Sequence, residues 1–337
     1  MKIGIIGDTH FRDFLSYDSC LNGGRGSEKK EILNFILESS KDCDHIVFLG
    51  DFFNSRNNSS EVNRQAVEFL EKFKNKEIYI INGNHCKKGD GKTAIDFLRE
   101  VKHSNWHVFT KPHDAQIGSL KVSFLPYMLK SELGTENDEQ STEKIIKDLP
   151  GGDVLFAHYS ISDTTFNGIS TNSLKEVVLP KVKLEEKYKQ IITGHIHMPG
   201  IFGRTLLTGS VFNMDVGETE KFIWKIDESL WTEQIKLPGR GIYKAINPTL
   251  EELAKLPKES IVKVIITDKK VNIDEIKNSL TRFDASLVLE QYPDERKKMH
   301  NIQEGALDFS PENLLKLYSE ERGVELSKLL RGFELIK

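Results

Sequence analysis

Cysteine is scarce in this 337-residue chain: Cys20, Cys43 and Cys86 are odd in number and far apart. That excludes a disulfide framework and a CxxC zinc site, and it suits a reducing compartment. Long apolar runs are missing too. None approaches the ~18 residues of a membrane span. The opening MKIGIIGDTH meets an acidic residue after four apolar positions, too few for a signal-peptide core. The expectation is a cytoplasmic protein with no membrane association. With 10 Pro and 24 Gly in a chain that is 38% hydrophobic and 29% charged, collagen-like and disordered classes are excluded. Nor is there an excess of positive charge: 47 Lys and Arg face 51 Asp and Glu, and from Gly241 onward the count is 16 against 17. A surface coated in cations is therefore excluded, but nucleic-acid binding is not, because metal ions held among carboxylates add charge that the count omits.

What the chain does have is a repeated local pattern. KIGIIGD, DHIVFLGD, EIYIINGNH, DVLFAH and KQIITGHIH are short apolar runs that stop abruptly at polar, metal-competent residues. Continuous apolar runs of this length read as strands buried on both faces. Helical patterns at 27–39 and 61–74 lie between them, so the fold class is α/β. SLKVSFLPY, RTLLTGS and KFIWKID read as a second sheet packed on the first. Gly23-Gly24-Arg25-Gly26 reads as a flexible loop, too irregular for a phosphate cradle. A Pro-Gly turn at Pro238–Gly239 marks a boundary. The predicted organisation is a main domain over 1–237, a small β-α-β module over 238–295, and a linker with C-terminal helices over 296–337. In the last helix, 325–335, Leu326, Leu329, Leu330 and Phe333 fall on one stripe.

The strand ends collect Asp8 and His10, Asp51, Asn84 and His85, His158, and His195 and His197. Singly, each has a bland explanation; His158 alone would read as a buried, satisfied histidine. Jointly they do not, because in an open α/β sheet the carboxyl ends of strands converge on one crevice. Imidazole, carboxylate and amide donors without thiolate suit divalent ions such as Mn²⁺, Fe²⁺ or Zn²⁺. Seven such ligands are too many for one ion and about right for two, the arrangement that clamps attacking and leaving oxygens in phosphoryl transfer. The other histidines (His45, His103, His107, His113, His300) lack that setting and read as surface or packing residues.

Asp8-Thr-His10, Gly50-Asp51, Gly83-Asn84-His85, His158 and Gly194-His195-Ile-His197 resemble, in that order, the five motifs of the calcineurin-like metallophosphoesterases. Leu125-Pro126-Tyr127, Thr208–Ser210, the small module and the apolar C-terminal helices resemble more narrowly the SbcD-type DNA-repair nuclease subunits. The resemblance implies two facing mixed β-sheets flanked by helices, with a cap-like DNA-binding module and ATPase-binding helices. It implies one ion on Asp8, His10, Asp51 and His197 and another on Asp51, Asn84, His158 and His195, with Asp51 shared. The ions would be Mn²⁺ first, with Mg²⁺, Fe²⁺ or Zn²⁺ as alternatives. His85 would contact the scissile phosphate and protonate the leaving oxygen. Implied partners are DNA, an SbcC-like SMC-type ATPase and a second copy of this chain in the complex.

Two positions differ from the family pattern. Cys86 stands where the third motif carries Asp, leaving Asp90 as an acid to orient His85 and making Cys86→Asp neutral or activating on sequence grounds. Asn54 stands where the second motif often carries Asp or His. Arg12, Arg56, Lys87, Lys88 and Lys92 flank the motifs and are candidate contacts to the DNA backbone. The functional expectation is a two-metal phosphodiesterase acting on DNA. The rivals are an enzyme for small phosphodiesters and a non-catalytic scaffold of the same fold.

Overall fold

The computed structural model describes residues 1–18, 24–87, 91–101, 103–268, 271–281, 290–291 and 326–327. Strands β1 (Lys2–Ile6), β2 (His45–Phe48), β3 (Glu77–Ile81) and β4 (Trp106–Phe109) are joined by α1 (Gly26–Ser39), α2 (Ser60–Glu71) and α3 (Asp96–Glu100). Then follow β5 (His113–Ile117), β6 (Leu120–Leu125), α4 (Lys130–Leu133), α5 (Asp138–Asp148) and β7 (Gly152–Ala157). Four two-residue strands come next: β8 (Ser160–Ile161), β9 (Thr165–Phe166), β10 (Ile169–Ser170) and β11 (Val178–Leu179). After α6 (Lys181–Lys187) run β12 (Tyr188–Thr193), β13 (Gly200–Phe202), β14 (Thr205–Leu207), β15 (Phe222–Asp227) and β16 (Thr232–Lys236).

Twelve of these strands form two six-stranded mixed sheets, ordered β16-β15-β1-β2-β3-β4 and β13-β14-β12-β7-β6-β5, and the short strands pair separately as β10-β9 and β11-β8. In the first, β1 to β4 are parallel and β15 is antiparallel to β1; in the second, β6, β7, β12 and β14 run parallel. The pleat explains why the runs are continuously apolar. Ile3, Ile5, Val47 and Ile81 meet Phe124, Val154, Phe156 and Ile192 between the sheets. Their neighbours Ile6, Ile46, Phe48, Ile78 and Ile80 pack on Ile32, Ile36, Val62 and Phe69 of α1 and α2. On the far side, Leu155, Ala157 and Ile191 pack on Leu133, Ile145 and Leu184. Each residue of a central strand therefore has a buried face to fill, and a period of two disappears.

The two facing sheets flanked by helices agree with the expected fold, but strand membership changes: DVLFAH (β7) and KQIITGHIH (β12) lie in the second sheet, between β6 and β14. KFIWKID is β15 and joins the first sheet, its register running Lys2↔Asp227 to Ile5↔Trp224. Trp224 anchors it there, buried in the inter-sheet core with its indole N–H donating to the Thr208 carbonyl at 3.1 Å. Arg25 also departs from the loop reading. It is fully buried at the start of α1, paired with Glu28 and donating to the carbonyls of Ser16 and Asn213.

Beyond Pro238 come β17 (Ile242–Ile246), α7 (Leu250–Ala254), β18 (Ile261–Ile266) and α8 (Ile273–Leu280). β17 pairs parallel with β18, and Leu253, Val262, Val264, Ile276 and Leu280 form their own core. The β18–α8 step matches the sequence reading, with a strand and a helix added before it. The following predicted strand and the 325–335 stripe lie outside the described residues, apart from 290–291 and 326–327. By contacts, Met1–Glu290 forms one compact unit and Gln291–Lys337 another. Among the described residues no helix is long and apolar enough to cross a membrane.

Candidate metal centre

The five clusters sit just past the carboxyl ends of β1, β2, β3, β7 and β12, three strands of one sheet and two of the other. Backbone hydrogen bonds stitch these loops together: His10 N–H donates to the Asp51 carbonyl at 2.8 Å, and Gly194 N–H to the Ala157 carbonyl at 3.0 Å. Two glycines leave room for the side chains. A Cβ on Gly50, whose φ is +89°, would lie 2.2 Å from His158 Nδ1; one on Gly83 would lie 2.1 Å from Asp51 Oδ1. His10, Asp51 and His195 hold φ values of +42°, +36° and +78°. The left-handed region costs a non-glycine residue roughly 1–2 kcal/mol, and such outliers cluster at functional sites.

All seven predicted ligands converge. His10 Nε2 lies 3.0 Å from His197 Nε2, 4.0 Å from Asp8 Oδ2 and 3.9 Å from Asp51 Oδ2. On the other side, Asp51 Oδ2 lies 3.3 Å from His158 Nε2. Asn84 Oδ1 lies 2.9 Å from that same nitrogen and 3.0 Å from His195 Nδ1. Asp51 divides its oxygens: Oδ1 accepts from the His85 backbone N–H at 2.8 Å, which leaves Oδ2 between the two groups of donors. Asp8 is held by the His195 N–H at 3.1 Å.

The donor set fits cations. His158 Nδ1 donates to the Leu49 carbonyl at 2.7 Å, so in the neutral ring Nε2 carries a lone pair, aimed at two oxygens. Without a cation, such a cluster has to share protons. Burial pushes the Asp8 carboxyl up. Burial opposes ionisation of Asp51 as well, but His158 beside it holds that carboxyl well below its usual range. Burial disfavours the His158 imidazolium, yet Asp51 and Asp8 outweigh it and push the group up to about 9. His10 goes the other way, held neutral by its burial. Two divalent ions would satisfy these lone pairs and charges together.

His85 differs from its neighbours. Its side chain is 44% exposed, and Nε2 lies 4.0 Å from Asp51 Oδ2. Nδ1 meets the Asn54 backbone carbonyl at 3.1 Å, so an acceptor orients the ring without any carboxylate. Cys86 takes no part. It is fully buried in the apolar cluster, Sγ is 3.8 Å from the Phe53 carbonyl, and burial pushes the thiol up to about 12. The sequence expectation for Cys86→Asp therefore reverses. A carboxylate there would be buried beside Asp51 with no cationic partner among the described residues, and we expect a loss of about 2–4 kcal/mol of unfolding free energy. Urea midpoints check this; an unchanged or raised midpoint would show that the buried position accommodates a carboxylate. Asp90 lies outside the described residues.

The flanking cations separate. Lys87 is buried and its ammonium pairs with Glu132 at 2.8 Å; its backbone bridges Thr93, and Ala94 N–H donates to the Cys86 carbonyl. It is not placed to meet a phosphate backbone. Arg12 is half-buried, donating to Asn54 Oδ1 at 3.1 Å and Ser16 Oγ at 2.7 Å, while Arg56 is exposed. Lys88 lies outside the described residues. Three acids escaped the sequence reading. Glu176 meets His195 Nε2 at 3.0 Å, Glu218 meets His197 Nδ1 at 3.4 Å, and Asp215 joins His197 and Glu218 in a third cluster of donors. None follows an apolar strand, so no local pattern singles them out.

Residues 1–199 match the family profile of calcineurin-like phosphoesterases. No curated protein matches the chain. Among solved structures, a Staphylococcus aureus protein assigned as a 5′-nucleotidase, in complex with alpha-ketoglutarate, aligns over 70% of this chain at 16% identity. The TM-score is 0.39, and the aligned region spans 53% of that protein. The family hydrolyses phosphoesters with two divalent metals, and Asp8, His10, Asp51, His158 and His197 form the corresponding clusters here. With 199 of 337 residues matched, the chain belongs to the calcineurin-like phosphoesterase family.

Proposed function

We propose that this chain is a two-metal phosphodiesterase acting on DNA, the nuclease subunit of a complex with an SMC-type ATPase. The observation that carries the phosphodiesterase reading is Asp51 Oδ2, 3.9 Å from His10 Nε2 and 3.3 Å from His158 Nε2, at the seam between two donor groups. Asp8, His10, Asp51 and His197 would hold one ion, and Asp51, Asn84, His158 and His195 the other, with Mn²⁺ the first choice. When bound, the ions supply Lewis-acid charge for the phosphoryl oxygens and acidify a water towards neutrality.

The chain's own residues do the rest. Asp8 and Asp51 provide the negative charge that retains the cations, and their backbone N–H partners hold both carboxylates still. His85, exposed at the edge of the cluster and oriented through Nδ1, faces substrate with Nε2 and protonates the departing oxygen. That exposed edge supports a long substrate, as do the accessory module and the sequence features shared with SbcD-type subunits.

A second reading, hydrolysis of a small phosphodiester, is favoured by a cavity of about 330 Å³ against His195 and His197, lined also by Phe166, Leu174 and Met198. It is large enough for a compact ligand. Incubating the purified chain with Mn²⁺ and end-labelled linear DNA, beside bis-p-nitrophenyl phosphate and a cyclic nucleotide, separates the readings. Shortened DNA is the expected result. Turnover of the small esters with intact DNA would select the second reading, and inert protein carrying two ions would select a scaffold.

A further inference from the structure

His195 and His197 are two residues apart, yet they present different nitrogens to the cluster. His195 directs Nδ1 at Asn84 Oδ1, 3.0 Å away, and turns Nε2 to Glu176, with both carboxylate oxygens at 3.0 Å. His197 does the reverse: Nε2 lies 3.0 Å from His10 Nε2, and Nδ1 faces Glu218 Oε1 at 3.4 Å.

The other imidazoles of the cluster rely on the backbone or on nothing. His158 uses the Leu49 carbonyl, and His10 Nδ1 is buried with no hydrogen-bond partner among the described residues. Among the described residues, only the last motif sets a carboxylate within 3.4 Å of the outer nitrogen of each ring, whereas Asp8 Oδ1 stands 3.7 Å from His158 Nδ1. A carboxylate behind an imidazole fixes its tautomer and raises its basicity as a ligand. An ionised carboxylate only accepts, so the ring nitrogen facing it carries the proton and the opposite nitrogen keeps the lone pair.

Both carboxylates are themselves held. Glu176 also accepts from the Ser160 hydroxyl. Glu218 accepts from the Met214 N–H at 2.8 Å and pairs with Lys221 at 2.7 Å, whose ammonium also donates to the His197 carbonyl at 2.7 Å. The two differ in exposure, 4% for the Glu218 side chain and 31% for Glu176, and both line the cavity beside the site.

We propose that Glu176 and Glu218 are positioning residues that lock His195 and His197 in opposite tautomers, each thereby governing one of two ions. The proposal rests on the two-metal reading. Glu176 acts on the ion assigned to Asn84, His158 and His195, and Glu218 on the ion assigned to Asp8, His10 and His197. Affinity for the two ions is then separable by substitutions that touch neither ion.

The test combines ¹⁵N spectra of the histidine rings in metal-free protein with Mn²⁺ binding isotherms. In Glu176→Ala, His195 should change from a single Nε2–H tautomer to a mixture. One Mn²⁺ should weaken by about 10–100-fold, the usual scale for losing such a partner, while the other stays within twofold. Glu176→Gln, whose amide oxygen still accepts from Nε2, should recover part of both effects. Removing Glu218 alone strands Lys221, so Glu218→Ala is combined with Lys221→Met; this pair should weaken the other Mn²⁺. An unchanged His195 tautomer in Glu176→Ala, or equal weakening of both ions, would overturn the proposal. So would a third ion in the wild type that is lost with Glu218, since Glu218 would then be a ligand. Wild-type protein that takes up one ion would break the two-metal reading, while the metal-free spectra still decide the tautomer claim.

Discussion

Asp51→Asn should leave a folded protein that holds at most one Mn²⁺ and hydrolyses phosphodiesters at least ~10³-fold more slowly. The exchange is nearly isosteric, and Oδ1 can still accept from the His85 N–H, so the β3 loop keeps its anchor. What changes is the other atom. An amide nitrogen in place of Oδ2 turns N–H donors towards the lone pairs of His10 and His158, where an anion stood 3.9 and 3.3 Å away. The charge shared between the two donor groups disappears, so both lose affinity together. Losing several kcal/mol of electrostatic stabilisation of the transition state corresponds to roughly a thousandfold or more in rate. Elemental analysis gives the stoichiometry. Thermal melts with and without Mn²⁺ give an independent reading, because an ion that binds only the folded state raises the melting temperature. That rise should shrink or vanish in the variant. Two tightly bound ions in active Asp51→Asn protein would sink the assignment.

His85→Gln should do the opposite: keep both ions and the melting temperature, yet lose about 10²–10⁴-fold in turnover of DNA, the scale of a general acid–base group. The ring is 44% exposed and, among the described residues, hydrogen-bonds through Nδ1 to the Asn54 carbonyl and meets the His10 ring edge-on, so its removal disturbs little packing. A glutamine amide can keep that bond but has no proton to give at neutral pH. Dependence on the leaving group makes the test specific. A p-nitrophenolate ester departs without a proton, so its hydrolysis should fall far less than that of DNA. Equal losses on the two substrates, or loss of an ion, would assign His85 a different task.

The contrast between these residues bears on what a chain's order can reveal. Asp51 and His85 both follow apolar strands, and their type and place suffice to single them out. Which of them faces the donor cluster is not legible in that order: Asp51 is buried within the cluster, while His85 stands 44% exposed at its edge. Lys87 makes the same point negatively. Its position beside the third motif suggests a phosphate contact, but the loop folds it onto Glu132.

The sequence by itself determined the strand-helix alternation, since runs buried on both faces have to be apolar throughout. It also determined the seven candidate ligands, because parallel strands deliver their carboxyl ends to one edge whatever the details of the loops. Tertiary structure alone decided what stands behind those ligands. Glu176, Glu218 and Lys221 lie in segments without periodicity, and only the folded chain brings them beside His195 and His197. It decided, too, that KFIWKID completes the first sheet, because Trp224 needs an apolar slot and the Thr208 carbonyl together. And it decided that a backbone carbonyl, not residue 86, orients His85. A hydrogen bond to the main chain leaves no mark on residue identity, so only the folded chain could disclose it.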